Sequence, residues 1–256
     1  SGKTTSAHRL ATQLRVHGKK PVLMSLDDYY IDRDKIAPGP DGKLDLEHIN
    51  TLDCDLFRKD ISELLAGKEV ELPTFNFKTG KREWSGKRLM LAEDSVIIAE
   101  GLHALNPAML PESVDMRRIF RLYVSPLLPL NLDDHNRIPT TDARLLRRIE
   151  RDARTRGYSA QATIRMWPSV RRGEERNIFP YQDSADAVFN SALIYETALL
   201  KTYVEPLLFS VPRDSQEYVE AKRLLKVLSY SLPIPADDVP KTSLVREFIG
   251  GGCYQV

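Results

Sequence analysis

The sequence predicts an α/β fold in which a parallel sheet is flanked by helices. Short apolar runs that end in an acidic residue alternate with amphipathic segments of helical period, as in strands joined by helices. The chain also opens on Ser1-Gly2-Lys3-Thr4-Thr5. This run matches the second half of the phosphate-binding pattern G-x-x-x-x-G-K-[ST], in which a loop leads from a strand into a helix. We therefore expect a P-loop NTPase-type sheet whose first strand and loop start precede Ser1.

Each residue of this opening run has a predicted task. In the full pattern, backbone N–H groups surround the phosphates, the lysine reaches the β and γ oxygens, and the hydroxyl holds Mg²⁺ at a helix N-terminus. Lys3 and Thr4 fit the last two tasks, and residues 1–5 together form the predicted nucleotide-binding segment. The alternative is an exposed basic N-terminus, because a Gly-Lys-Thr triplet also arises by chance.

The first half of the chain alternates helix and strand signals. Apolar residues recur at helical spacing over 4–17, and they predict the helix that follows a phosphate-binding loop. Residues 21–27 are an apolar run that ends in Asp27, which predicts a buried strand. The Pro-, Gly- and Asp-rich segment 31–43 predicts a loop, and 53–66 a second amphipathic helix.

A hairpin, a lid and a helical tail complete the predicted organisation. Segment 69–91 alternates weakly around Thr79-Gly80 and predicts a small β-hairpin. The further expected strands are 95–101, 118–124 and 186–190, with the first two central in the parallel sheet. The further expected helices are 142–156, a helix with a loop up to about 176, 195–209 and 216–231. We expect residues 1–211 to form the nucleotide-binding domain and 212–256 a helical C-terminal extension.

Composition limits the function classes. The chain has 256 residues, 42% of them hydrophobic, which is enough for a substantial core. A formal net charge of +1 argues against a protein built mainly to neutralise nucleic acid. Cys54 and Cys253 are far apart, so neither a disulfide framework nor a zinc site is predicted, and a reducing cytoplasm is expected. No apolar run is long enough to span a bilayer, so we expect no membrane partner.

Acidic residues at strand ends are the candidate catalytic groups. In an open parallel sheet, ligands bind outside the carboxyl ends of the strands, where Asp27 and Glu100 fall. Phosphoryl transfer needs a metal on the β- and γ-phosphates and a carboxylate that orients or deprotonates the attacking hydroxyl. Thr4 and Glu100 suit the metal, and Asp27 suits the hydroxyl. Asp28 is the rival base, and either acid could instead be a solvent-exposed cap.

Arginines line one face of the helix predicted over 142–156. Those at i, i+3, i+4 and i+7, with two more that extend the charge, are Arg144, Arg147, Arg148, Arg151, Arg154 and Arg156. Clustered guanidinium groups suit contacts to phosphate oxygens. A solvated face paired with neighbouring acids and an RNA-binding stripe are the alternatives. Downstream, residues 167–173 combine a tryptophan, a proline, two arginines and a glycine, as expected of a closing lid.

The order of these motifs resembles the uridine kinase branch of the uridine kinase/phosphoribulokinase family. The resemblance spans residues 1 to about 190, and its individual motifs are short. The residues that carry it, besides Gly-Lys-Thr, are Asp27-Asp28-Tyr29-Tyr30, Leu46-Glu47-His48, Pro73-Thr74-Phe75-Asn76-Phe77, Ile98-Ala99-Glu100-Gly101 and 142–152. The C-terminal residues 243–251 also resemble those of long bacterial relatives in which a TGS-type domain precedes the kinase.

The resemblance implies a function and a set of roles. It implies transfer of a phosphoryl group from ATP or GTP, with Mg²⁺, to the 5′-hydroxyl of a ribonucleoside such as uridine or cytidine. It selects Asp27 over Asp28 as the base. The residues that it places at the substrate are Tyr30, Glu47, Phe75, Phe77 and Arg144. Those that it places at the triphosphate are Arg147, Arg151 and Arg156, and Glu100 takes a metal-associated position.

Two departures from the family pattern leave the acceptor open. The hairpin carries Phe75-Asn76-Phe77 where uridine kinases usually show Tyr-Asp-Phe, and Gly80 stands near the expected base-reading histidine. Glu47 replaces an aspartate. The alternatives are an RNA-associated or regulatory NTP-binding module without small-molecule kinase activity, and a kinase of another hydroxylated metabolite. The expected partners are a small nucleoside and further copies of the chain.

Overall fold

The structure, a computed structural model, describes residues 2–36 and 48–254. Within these residues the helices are α1 (Lys3–Val16), α2 (Cys54–Leu65), α3 (Thr140–Arg156), α4 (Ala160–Asn177), α5 (Phe179–Gln182), α6 (Glu196–Phe209), α7 (Tyr218–Ser229) and α8 (Arg246–Ile249). The strands are β1 (Lys20–Ser25), β2 (Val70–Glu71), β3 (Thr74–Asn76), β4 (Lys81–Glu83), β5 (Arg88–Leu89), β6 (Ser95–Glu100), β7 (Leu122–Ser125) and β8 (Ala187–Asn190).

The chain forms two compact units. Unit 1 comprises Ser1–Ser6, Val124–Arg171 and Val188–Val256, and unit 2 comprises Ala7–Tyr123 and Arg172–Ala187. The predicted domain boundary at residue 211 stays a prediction. In the structure, α7 and α8 belong to the same unit as α3 and α6.

Unit 2 contains the parallel strand pair that the sequence predicts. β1 and β6 pair in parallel along their whole length, from Lys20 opposite Ser95 to Ser25 opposite Glu100. Apolar residues of β1, α2 and the following segments form its core, including Met24, Leu26, Phe57, Leu64 and Met109. The predicted α/β arrangement of a parallel sheet with flanking helices is confirmed.

The predicted hairpin is confirmed and has two levels. β2 pairs with β5, and β3 pairs with β4, both antiparallel. The chain turns at Gly80, whose φ of +70° lies in the left-handed region that favours glycine. A Cβ at this position would lie 2.7 Å from Cδ of Arg33, so the turn also leaves no room for a side chain.

Two predicted strands have different bounds, and one of them also lies in a different sheet. The strand predicted over 21–27 ends at Ser25, because the Ser25 side chain caps a 3-10 turn over Leu26–Tyr29 that contains Asp27. β7 begins at Leu122 rather than 118, because Asp115 caps a 3-10 turn over Met116–Arg118. β7 pairs with β8 in a separate two-stranded sheet, so its predicted place beside the central strands is not seen in the described residues.

The helices of unit 1 surround a large apolar core. α6 contacts α3 and α7, and α3 contacts α8. Fully buried residues of these helices include Leu145, Ile149, Leu199, Val204, Leu224 and Phe248. α3 ends at Gly157, which takes the left-handed conformation typical of a helix C-terminus. The predicted helix with a loop before Arg176 is present as the loop 157–159 and the helix α4, which continues through Pro168.

No helix in the described part of the chain is both long and apolar enough to cross a bilayer.

Candidate active site

The two candidate acids lie at one edge of the strand pair in unit 2. Ser25 and Glu100 are register partners at the carboxyl ends of β1 and β6. The Ser25 hydroxyl donates a hydrogen bond to Oε1 of Glu100 over 2.9 Å. The backbone N–H of Asp27 in turn donates to Oγ of Ser25 over 3.3 Å. A chain of two hydrogen bonds therefore links Asp27 to Glu100 at the edge where open parallel sheets bind ligands.

The structure distinguishes Asp27 from its neighbour. Oδ1 of Asp28 accepts a hydrogen bond from the backbone N–H of Phe75 over 3.2 Å, which ties this carboxylate to the hairpin. Burial raises the pKa of Asp28, and the hydrogen bond from Phe75 opposes that shift. No described residue forms a hydrogen bond or an ion pair with the half-buried carboxylate of Asp27. Asp28 therefore anchors the hairpin, and the role of Asp27 as the base stays a prediction.

Three aromatic rings form a cluster beside this turn. The centroid of the Tyr30 ring lies 5.5 Å from that of Phe75 and 6.2 Å from that of Phe77. Phe75 and Phe77 meet edge to face at 5.2 Å. Phe75 is 6% exposed and Phe77 is 49% exposed, so the cluster is supported from within and open at Phe77. The structure thus brings together the three aromatic residues predicted to meet the substrate.

Hydrogen bonds hold the hairpin against the segment that follows Asp27. The backbone N–H of Arg33 donates to the carbonyl of Gly80 over 2.9 Å. The backbone N–H of Arg82 donates to Oδ1 of Asp32 over 2.9 Å, and its guanidinium contacts Asp53 at 2.7 Å. Together with the bond from Phe75 to Asp28, these contacts fix the position of the aromatic cluster relative to the candidate base.

The amide of Asn76 is used within the turn. Its Oδ1 accepts hydrogen bonds from the backbone N–H groups of Lys78 and Thr79, over 3.0 and 3.3 Å. Its Nδ2 donates to Oε1 of Glu83 over 2.9 Å. Asn76, the polar residue between the two phenylalanines, therefore uses its amide to stabilise the hairpin.

Two predicted site residues, Ser1 and Glu47, lie outside the described residues. The neighbouring His48 accepts a hydrogen bond at Nδ1 from the backbone N–H of Asn50 over 3.1 Å and caps a 3-10 turn.

The start of α1 in unit 1 has the local features of a phosphate-binding helix end. Gly2 is buried with a φ of +77°, and α1 begins at the next residue. The first turn of α1 contains no acidic residue, so no side chain of that turn neutralises the positive end of the helix dipole. Lys3 and Thr4 are half-buried there. These residues fit a phosphate group, and the Thr4 hydroxyl fits a ligand of the accompanying Mg²⁺.

A dedicated metal cage is not part of this arrangement. No group of three or more His, Cys, Asp or Glu side chains in the described residues is placed to hold a metal ion.

Thr5 and Arg147, both predicted to bind the nucleotide, are buried within unit 1. Thr5 is 2% exposed and donates its hydroxyl hydrogen to Oε2 of Glu247 over 2.6 Å. Arg147 is 1% exposed, pairs with Glu196 and donates from Nη2 to the Ser191 carbonyl over 2.8 Å. Their roles at the triphosphate stay predictions, and the contacts give each residue a structural role that helical spacing did not reveal.

The later arginines of α3 share one buried carboxylate. Asp152, which is 0% exposed, contacts Arg148 at 3.2 Å, Arg151 at 3.1 Å and Arg156 at 3.4 Å. Guanidinium groups clustered in this way suit contacts to a polyanion. Arg144 is half-buried near the start of the same helix. Arg148 belongs to this cluster, although the sequence did not assign it a role of its own.

The comparisons with known proteins agree with these observations. Residues 1–198 match the Phosphoribulokinase / Uridine kinase family. The uridine kinase of Lactobacillus helveticus is 30% identical over 167 residues, which cover 65% of this chain and 70% of that protein. Uridine-cytidine kinase A of Dictyostelium discoideum is 32% identical over 189 residues, or 73% of this chain and 33% of that protein.

Among solved structures, one described as a possible uridine kinase from Bacillus stearothermophilus is 18% identical. The match has a TM-score of 0.45 and covers 73% of this chain and 82% of that one. The family match covers the opening run, both strand-end acids, the hairpin and the arginine-rich helix. The chain therefore belongs to the phosphoribulokinase/uridine kinase family of kinases.

Proposed function

We propose that this protein transfers the γ-phosphoryl group of ATP or GTP to the 5′-hydroxyl of a ribonucleoside, with uridine or cytidine as the first candidates. The observation that carries the proposal is the aromatic cluster of Tyr30, Phe75 and Phe77 beside the available carboxylate of Asp27. A flat base would stack on the rings while the sugar hydroxyl meets the acid. A small sugar phosphate or an aliphatic acid would make little use of three rings.

Each remaining residue has an assigned role in this proposal. Asp27 accepts the proton of the attacking hydroxyl, Lys3 binds the β- and γ-phosphates, and Thr4 and Glu100 are ligands of Mg²⁺. Magnesium, which Thr4 and Glu100 would hold, would neutralise charge on the phosphates during the transfer. Arg144 and Glu47 contact the ribose. The triphosphate is held by Gly2 and the other residues of segment 1–5, together with Arg147, Arg151 and Arg156.

Base recognition in this proposal depends more on the ring faces than on polar contacts to the base edge. Asn76 is engaged by the turn and by Glu83, so the hairpin turn offers its aromatic faces in place of this amide. A site that lacks dedicated hydrogen bonds to a substrate edge discriminates weakly between related substrates. The cytoplasm is the proposed location, in line with the two unpaired cysteines Cys54 and Cys253.

A nucleoside panel tests the proposal directly. The full-length protein is incubated with radiolabelled ATP, Mg²⁺ and each ribonucleoside in turn, and nucleoside monophosphates are separated by chromatography. We expect a labelled monophosphate from at least one pyrimidine ribonucleoside, and none from the Asp27→Asn variant. Hydrolysis of ATP only in the presence of RNA would instead favour an RNA-associated module. Product only from a different hydroxylated metabolite would reassign the acceptor.

A further inference from the structure

Two consecutive residues of α8 cover two residues that the proposed function assigns to the nucleotide. Glu247 accepts the hydrogen bond from the buried hydroxyl of Thr5. Phe248 lies under the guanidinium of Arg147, whose central carbon is 4.9 Å from the ring centroid. All four residues belong to unit 1. Glu196 and Ser191 also hold Arg147, so α8 by itself occupies only Thr5, whose hydroxyl a nucleotide can reach by displacing the Glu247 carboxylate.

Glu247 supplies a negative charge at the start of α1. Its Oε2 lies 3.9 Å from the position that a Cβ on Gly2 would occupy, at the glycine that precedes the helix. The first turn of α1 has no acidic residue of its own. Carboxylates and phosphates are both favoured at a helix N-terminus, because the helix dipole and the free N–H groups attract anions. Glu247 and a nucleotide phosphate are thus chemically equivalent candidates for this helix end.

Further contacts hold α8, and with it the Glu247 side chain, in place. Arg154 donates from Nε to the carbonyl of Phe248 over 2.8 Å and from Nη2 to the carbonyl of Glu247 over 2.7 Å. Val245 and Ile249, on either side, are buried in the core of unit 1. An arginine of the helix whose neighbours are predicted to hold the triphosphate therefore holds α8 in place.

We propose that α8 is an autoinhibitory element, in which the Glu247 carboxylate occupies the hydroxyl of Thr5 until nucleotide phosphates displace it. The inference rests on the proposed function and adds a regulation of the same nucleotide site. α8 lies beyond residue 198, where the match to the family ends, so this control belongs to the C-terminal part of the chain. When a site is open for only a fraction of the time, its apparent affinity falls to that fraction of the intrinsic affinity.

Removal of the Glu247 charge tests the inference. Binding of Mg·ATP to the full-length protein is measured by isothermal titration calorimetry for the wild type and for Glu247→Gln. We expect the variant to bind about tenfold more tightly, because a neutral amide competes poorly with phosphate for a helix N-terminus. The matched control is Asp237→Asn, which removes one negative charge at an exposed position of the same tail and should leave the affinity unchanged.

The outcomes separate this inference from the proposed function. Equal or weaker binding by Glu247→Gln overturns autoinhibition, and weaker binding would make Glu247 a residue that positions Thr5 for the nucleotide. If the wild type, Glu247→Gln and Asp237→Asn all fail to bind nucleotide, the proposed function is overturned and the inference with it.

A second measurement needs no variant. The backbone N–H groups of Phe248, Ile249 and Gly250 donate to carbonyls of Val245 and Arg246, so their hydrogen exchange reports whether α8 is seated. We expect saturating Mg·ATP to accelerate exchange over 246–250 in the wild type, since a ligand and a segment that compete must weaken each other reciprocally. Unchanged or slower exchange in the presence of bound nucleotide would contradict the inference.

Discussion

The proposed site residues form two groups, those for the nucleoside and those for the phosphates. The groups differ in whether other side chains of the protein already bind them. Beside β1, the carboxylate of Asp27 has no hydrogen-bond partner among the described residues, and half of Phe77 is exposed. In unit 1, Thr5 and Arg147 are buried, and each contacts a carboxylate. The nucleoside end is thus formed in advance, whereas part of the phosphate end is occupied by the protein itself.

The comparison distinguishes two kinds of mutational effect. Substitutions of the exposed or unpaired residues at the nucleoside end, Phe77 and Asp27, should change turnover or substrate affinity with little change in the free energy of unfolding. Substitutions of the buried residues at the phosphate end should change the free energy of unfolding as well, because they leave a charged or polar partner unsatisfied. Kinetics and unfolding measured on the same variants can therefore support or break the distinction.

The largest effect is expected for Asp27→Asn. An asparagine cannot accept the hydroxyl proton, so kcat should fall by about 10³-fold while nucleotide affinity and thermal stability stay near wild type. Initial rates with radiolabelled ATP, together with calorimetric binding of ATP, measure both quantities. Asp28→Asn is the matched control. It should keep most of kcat and instead raise the KM for the nucleoside, because Asp28 anchors Phe75. Normal turnover in Asp27→Asn would remove Asp27 from the role of base.

The next effect is on stability, for Arg147→Ala. The substitution leaves the buried carboxylate of Glu196 without its partner, and we expect a loss of about 3 kcal/mol or more in the free energy of unfolding. Arg151→Ala is the control at the partly exposed end of the same helix, where a loss below about 1 kcal/mol is expected. Urea unfolding followed by circular dichroism gives both values.

Kinetics of the same arginine variant test the predicted phosphate role. Arg147→Ala should raise the KM for ATP more than the KM for the nucleoside, if the arginine binds the triphosphate as predicted. Unchanged ATP kinetics in a destabilised variant would assign Arg147 to packing alone.

At the aromatic cluster, Phe77→Ala should raise the KM for the nucleoside about tenfold and leave stability nearly unchanged. Loss of a stacking ring costs roughly 1–3 kcal/mol of binding, and half of this ring is already exposed. Phe75→Ala is the comparison, since it should weaken binding and also destabilise the protein by about 3 kcal/mol through the cavity that it leaves. Equal unfolding free energies for the two variants would show that the cluster is not supported from Phe75 as the structure indicates.

Local patterns in the sequence were sufficient for the parts of the site that depend on neighbouring residues. The apolar run before Asp27 and the turn at Gly80 predict a strand end and a hairpin, and both are present. Local patterns could not decide between Asp27 and Asp28, because Phe75, whose backbone N–H binds Asp28, is 47 residues away along the chain. The sequence could supply that choice only through the family resemblance.

Long-range contacts explain what the sequence could not predict in unit 1. The spacing of the arginines in α3 places four on one face but does not show that Glu196 and Phe248 enclose Arg147. Thr5 and Glu247 are 242 residues apart, and no local pattern marks a glutamate in the tail as a partner of the opening run. Such pairs are set by tertiary packing, which neither periodicity nor capping signals contain.

The smallest expected effect concerns pH, and the two regions should respond to acid in opposite senses. In unit 1, the guanidinium of Arg165 and the amide of Gln161 on α4 hydrogen-bond Glu217 before α7 and lower its pKa to about 2. A depressed folded-state pKa stabilises the fold above the ordinary value of 4.5, and this stabilisation is lost as the pH falls towards 2. In unit 2, burial raises the pKa of Asp28 above its ordinary value of 3.8, so protonation of this group as the pH falls towards 3.8 favours the fold.

Thermal unfolding of Glu217→Gln and wild type between pH 7 and pH 3 measures the first of these contributions. We expect the wild type to be the more stable protein at neutral pH and the difference to shrink steadily below about pH 4.5, because protonated Glu217 resembles glutamine. Asp237→Asn again controls for the loss of one exposed negative charge. A difference that stays constant down to pH 3 would mean that Glu217 holds α4 and the start of α7 together by packing. The C-terminal layer that carries α8 would then be insensitive to acid.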